Sequence, residues 1–203
     1  MSSSSAWVQV PEAWHHGGND KLKHALANMV APVYLCAGLI ANEHPASATT
    51  NLLNQGVDRM RAQIDRYGAL LRKTPLDLRP VLCAELARGR MDLSRADGKK
   101  TLNLNLEATV TYIVDELLAN NIAGLRLTFD HPLSRKGGRW AALIAKPGNT
   151  VLTVESLNCI GRPYASNELG LGLALVVAYA YKQAGKVYFN PSTSELAVLF
   201  PEP

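Results

Sequence analysis

Apolar residues recur along the first third of the chain in alternating steps of four and three. Leu22, Leu26, Met29, Val33, Cys36 and Ile40 follow one such run, and Leu53, Val57, Met60, Ile64, Tyr67 and Leu71 repeat it. A repeat of this kind keeps one stripe of a helix against its neighbour along its whole length, so both segments are predicted to be helices packed lengthwise. Asn19 or Asp20, after Gly17-Gly18, supplies the N-cap of the first helix, and Asn42–Ser47, which holds a proline, breaks it. Asp58, Arg59, Arg61, Asp65 and Arg66 fall on the outer faces of the second, where water is expected. Two matched seams joined by a short turn make an antiparallel hairpin. A lone hairpin leaves apolar surface uncovered, so a second copy is expected to complete a four-helix bundle; packing on the chain's own C-terminal domain is the alternative.

Thr74-Pro75 ends the hairpin, and the pattern then changes to mixed α/β. The organisation read from the sequence is an irregular arm at 1–18, a helical hairpin at 19–74 and an α/β domain at 75–203. Within the last, helices are predicted at Leu78–Arg88, from Glu107 to about Asn121, and at Leu169–Ala184, where Gly185 is the stop. Strands are predicted at Thr101–Leu106, Leu125–Phe129, Trp140–Ala145 and Val151–Glu155, with a polar turn at 134–138 between the second and third. Val187–Asn190 and Leu196–Phe200 read as a closing hairpin.

Composition narrows the function classes. Apolar residues make up 47% and charged residues 19%, which supports a sizeable core and argues against wholesale disorder. The longest apolar run, Leu169–Tyr181, is too short to span a bilayer, and the serine-rich start lacks a basic segment leading into an apolar one. A cytoplasmic protein that neither enters a membrane nor carries a secretory signal is expected. Cys36, Cys83 and Cys159 sit in apolar surroundings without metal-ligand spacing and read as reduced core thiols. His15, His16, His44 and His131 fall in predicted loops without ligand partners, so no metal site is expected. The net charge of +4 is scattered, with Lys99-Lys100 and Arg135-Lys136 as pairs rather than a stripe, so nucleic-acid binding is not expected.

Three segments carry a resemblance. Ile113–Ile122, reading IVDELLANNI, resembles the N box of the kinase, gyrase and Hsp90 ATPase superfamily. Gly170-Leu171-Gly172-Leu173 resembles that superfamily's second glycine box, and the closing strands to Phe200-Pro201 resemble its C-terminal end. Preceded by a helical hairpin, this order is similar to the bacterial histidine-kinase core over roughly residues 20–200. The resemblance implies an α+β protein: a hairpin dimerisation domain followed by an α/β-sandwich, ATPase-like domain. It also implies that Asn120 would coordinate Mg²⁺, that Glu116 could act as a base, and that Gly170 and Gly172 would bring backbone amides close to phosphates. The spacing of four places Glu116 and Asn120 on one helix face.

The departures shape the functional expectation. Glu155 stands where the family has the Asp that reads adenine, and Leu157 and Cys159 stand where it has glycines, so side chains intrude where bare backbone is needed. Gly161–Glu168 is shorter than the family's ATP lid. In the first helix the proline of the phosphotransfer motif is Pro32, but the histidine position is Ala27; His24, one turn earlier, is the candidate for a displaced phosphoacceptor. By size and by these losses the chain is most similar to the ChpT-like histidine phosphotransferases. The expectation is a homodimeric, phosphorelay-type adaptor without ATP chemistry of its own, which docks a response-regulator receiver domain on a face around His24, Ala27, Asn28 and Ala31. Two alternatives stay open: a Mg-ATP-binding enzyme or switch that uses Glu116, Asn120, Glu155, Gly170 and Gly172, and a structural dimer that sequesters another regulatory protein.

Overall fold

The computed structural model of the chain describes residues 7–11, 31, 33–43, 48–58, 75–119, 122–135, 138–148 and 168–203, and of 168–174 the backbone alone. Chain order runs from a short strand, β1 (Val8–Gln9), through helical residues 33–43 (α1) and 48–58 (α2), to β2 (Arg79–Leu82) and α3 (Cys83–Ala87). Next come β3 (Asp92–Leu93), β4 (Thr101–Leu104) and a composite helix, α4. Its α-helical ends, Leu106–Thr109 and Asp115–Ala119, flank a π-helical turn at Val110–Val114. The remaining elements are β5 (Ile122–Thr128), β6 (Trp140–Pro147), α5 (Glu168–Lys182), β7 (Lys186–Asn190) and β8 (Glu195–Pro201).

Six strands form one mixed sheet in the order β1-β7-β8-β6-β5-β3, and β2 pairs with β4 in a separate antiparallel ribbon. Only β3 runs parallel to its neighbour, β5; the other described pairs are antiparallel. The α+β class expected from the sequence is therefore what the chain adopts. Alternation along the strands sends Leu125, Leu127, Leu143, Val198, Phe200 and Phe189 to one face, where they pack under α4 and α5. The opposite face is also closed. Ala142, Ile144, Ala197 and Leu199 lie beneath Leu133, in a 3₁₀ turn at Pro132–Arg135, with Trp7 and Trp140 beside it. The two alanines leave room for that turn to approach the sheet. Among the described residues no helix is long and apolar enough to cross a membrane.

Residues 33–43 and 48–58 are helical, each largely inside a segment predicted as a helix. Val33, Ala37 and Ile40 turn inward on α1, as do Thr50, Leu53 and Val57 on α2. This follows the predicted seams with one correction. Ala37 is buried and Cys36 is exposed, so the covered side of α1 runs through 33, 37 and 40. Cys36 is thus a surface thiol rather than a core one, whereas Cys83 is buried, and burial pushes its thiol up to about 11. The break at 44–47 and the seam residues Leu22, Leu26, Met29, Met60, Ile64, Tyr67 and Leu71 lie outside the described residues, as do Cys159 and the strand predicted at Val151–Glu155.

Three further expectations are corrected. The segment predicted as a helix over Leu78–Arg88 begins as strand β2 and turns helical only at Cys83. Pro80 lacks an amide proton and sits without penalty in a two-stranded ribbon opposite Asn103, where a helix interior would reject it. The arm at 1–18 is not irregular throughout, since Val8 and Gln9 pair with Phe189 and Tyr188 on the edge of the main sheet. The link between β5 and β6 is no simple polar turn, because Leu133 and Ser134 are buried over the back of the sheet.

Candidate functional site

Two places bring the sequence-selected residues into geometric relation. The first is the meeting of α4 and α5. Asn105 caps α4, its side chain accepting from the Ala108 amide at 2.9 Å. Gln183, just beyond α5, accepts from the Asn105 amide at 2.8 Å. Further into α4, Tyr112 stacks on Tyr179 with ring centroids 4.1 Å apart and planes 12° from parallel. Contacts at 105 and 109 with 183, then at 112 with 179, define an antiparallel helix pair. Continuing that register places Glu116 level with about residue 175 and the end of α4 level with the Gly170–Gly172 turns of α5.

The N-box-like and glycine-box-like segments therefore converge at one end of the helix pair, about fifty residues apart in sequence. Glu116 is 6% exposed, on the face of α4 turned toward the core. Next to it Asp115 pairs with Arg90 at 2.8 Å, both side chains less than half exposed. The π-helical turn immediately before Asp115 is a rare element that is frequent at functional sites. Arg90, from the loop after α3, was not signalled by any motif. Asn120 and Glu155 lie outside the described residues.

The second place is the outer face of α1. Leu35 is 70% exposed and Leu39 is 62% exposed, one helical turn apart. They lie roughly 130–165° around the helix from the mean direction of the buried group Val33, Ala37 and Ile40. Ala31, in the expected docking face, is exposed on the same side. No charged residue occurs from 31 to 42. A helix with apolar residues on two opposite faces and no charge is one that buries both faces in its working state. Leu52 repeats the arrangement on α2, 69% exposed and opposite Thr50, Leu53 and Val57. The sequence signal for Leu35 and Leu39 is the charge-free stretch itself, which the inward seam overlaps. His24, Ala27 and Asn28 lie outside the described residues.

Comparison with known protein families gives no match, and comparison with curated proteins gives none either.

Proposed function

We propose that the protein is a phosphorelay-type signalling adaptor that works as a homodimer and docks a response-regulator receiver domain on the outer face of its first hairpin helix. The observation that carries this reading is the uncharged stripe Ala31, Leu35 and Leu39, exposed on the side of α1 away from Val33, Ala37 and Ile40. Exposed apolar surface of this continuity marks an interaction site rather than ordinary scatter. Ala31 is the residue that this exposed stripe shares with the docking face expected from the histidine-kinase resemblance.

The reading makes a direct prediction. Purified protein is expected to bind isolated receiver domains with micromolar affinity, and Leu35→Asp with Leu39→Asp is expected to weaken binding by roughly thirtyfold, the effect of losing about 2 kcal/mol at an interface centre. Because both side chains face solvent, the circular dichroism spectrum and melting temperature should stay unchanged. Failure of every receiver domain to bind, with some other regulatory protein captured on the same face, would replace the receiver by that partner. Unchanged binding in the double variant would sink the face itself. Sedimentation equilibrium reads the dimer independently.

A second reading is favoured by the convergence of Glu116 with the Gly170–Gly172 turns. The residues fit a Mg²⁺-bound phosphate in kind: a carboxylate on α4 and a glycine-bearing first turn of α5, whose amides and positive dipole end attract anions. In this reading Glu116 would hold or orient the metal shell and α5 would bind phosphate. Calorimetric titration with Mg-ATP tests it: micromolar binding lost in Glu116→Gln supports the site, and no heat at millimolar nucleotide removes it.

A further inference from the structure

The back of the main sheet carries a titratable contact that neither functional reading uses. Residues 131–135 cross this face, and Leu133 plugs it over Ala142 and Ala197. The turn is pinned at its start by His131. The ring Nδ1 accepts a hydrogen bond from the Leu133 amide at 3.3 Å, and the His131 carbonyl accepts from the Ser134 amide at 2.8 Å. On its other side the imidazole meets Trp7 edge to face, with ring centroids 5.2 Å apart and planes at 88°. Trp7 leads into β1, whose remaining anchors are separate: Val10 is 1% exposed, its carbonyl accepts from the Tyr181 hydroxyl at 2.5 Å, and its amide donates to Val187 at 2.8 Å.

We infer that His131 is an acid-released latch: protonation at Nδ1 frees the 131–135 turn and, through Trp7, loosens the N-terminal strand from the sheet edge. An acceptor nitrogen that gains a proton becomes a donor facing the Leu133 N–H, so the bond is replaced by repulsion. The added charge also enters a half-buried contact with Leu133, which cannot balance it. Glu195, at the start of β8, is the carboxylate that acts on the ring; Asp130 and Arg135 flank the turn and are exposed, and Lys186 on β7 lies over the Trp140 ring. Tyr188, also on β7, has its phenol pushed above the ordinary value by burial and keeps its proton throughout.

The direction is fixed by burial, which holds the His131 imidazole below the ordinary histidine value against the opposing pull of Glu195. The closed state resists protonation. Its advantage is complete above about pH 6.5 and is lost progressively as pH falls below that ordinary value toward the depressed one.

Amide hydrogen exchange of the full chain tests this between about pH 8 and about pH 5, either side of the ordinary histidine value, with intrinsic exchange rates divided out. Protection at the Leu133 and Val10 amides is expected to fall severalfold on acidification, while the paired amides of β6 and β8 hold theirs. His131→Asn, whose side-chain carbonyl can still accept from Leu133 but cannot titrate, is expected to lose the acid step. A step of equal size in His131→Asn, or none in the wild type, overturns the latch. If that variant fails to fold, His131→Gln reads the same difference.

Discussion

Replacing Gly185 by alanine is expected to destabilise the protein by about 3 kcal/mol, at the upper end of what overpacking costs, and to lower its melting temperature by roughly 10 °C for a chain of this length. A β-carbon at position 185 would lie 2.5 Å from the Leu199 carbonyl oxygen and 2.8 Å from that of Ala180. Both are backbone atoms, and neither can swing aside. The Ala180 carbonyl closes the end of α5 by accepting from the Gly185 amide at 2.9 Å, while the Ala184 amide donates to Tyr181 at 3.0 Å. These two bonds make the paired closure of a Schellman motif. The added methyl must either open this closure or push β7 away from β8 where Lys186 faces Leu199. Its neighbour should respond in the opposite sense. Ala184 takes the left-handed conformation, φ 56°, and is exposed, so Ala184→Gly should stabilise by about 1 kcal/mol through relief of β-carbon strain. Differential scanning calorimetry of both variants checks the pair; equal signs would contradict the assignment of strain and contact.

The second large effect is expected at Gln183, which is fully buried. Its Oε1 accepts from the Asn105 amide, and the Thr109 hydroxyl lies 2.9 Å from the same oxygen and 2.7 Å from the Asn105 carbonyl, so one proton serves two acceptors. Its Nε2 donates to the Tyr179 carbonyl at 3.2 Å. Gln183→Leu keeps the volume and removes every partner at once, leaving the Asn105 amide without an acceptor at the start of α4. A loss of about 3 kcal/mol is expected for a buried network broken on one side. Thr109→Val should cost only about 1 kcal/mol, since Gln183 still receives the Asn105 amide. Chemical denaturation measures both, and comparable losses in the two variants would show that Gln183 is not the hub.

The legible part of this chain lies in its periodicities. The seams on α1 and α2, the strand alternation in β4, and the apolar runs of β6, β8 and α5 each express burial by neighbours close in sequence or by a continuous core. What escaped was decided at a distance. Val8 and Gln9 show no strand pattern by themselves; their pairing exists because β7 offers an open edge and Tyr181 and Tyr188 offer hydroxyls to Val10 and Gln9. Leu133 looks like a loop residue until the alanines at 142 and 197 make space beneath it. At the candidate site the helical segments could be read, but the antiparallel register that joins Glu116 to the Gly170–Gly172 turns depends on the Tyr112–Tyr179 stack and on Gln183, which no motif contains. Gly185 was legible as a helix stop for a reason that proves incomplete. The left-handed residue is Ala184, and the glycine is required one step later by the approach of β8.

The seating of β1 on β7 also sets an order of events during synthesis. Its side-chain anchors join residues 171 to 179 positions apart, so the first strand has no partner until almost the whole chain has left the ribosome. The local helical turns of α1 and α2 can form early, whereas the sheet edge at Lys186–Asn190 closes last, after the longest loop in the molecule has been brought round. Until then an apolar strand edge and the N-terminal segment are both unpaired in the nascent protein, which makes the final step the one most exposed to pairing between chains.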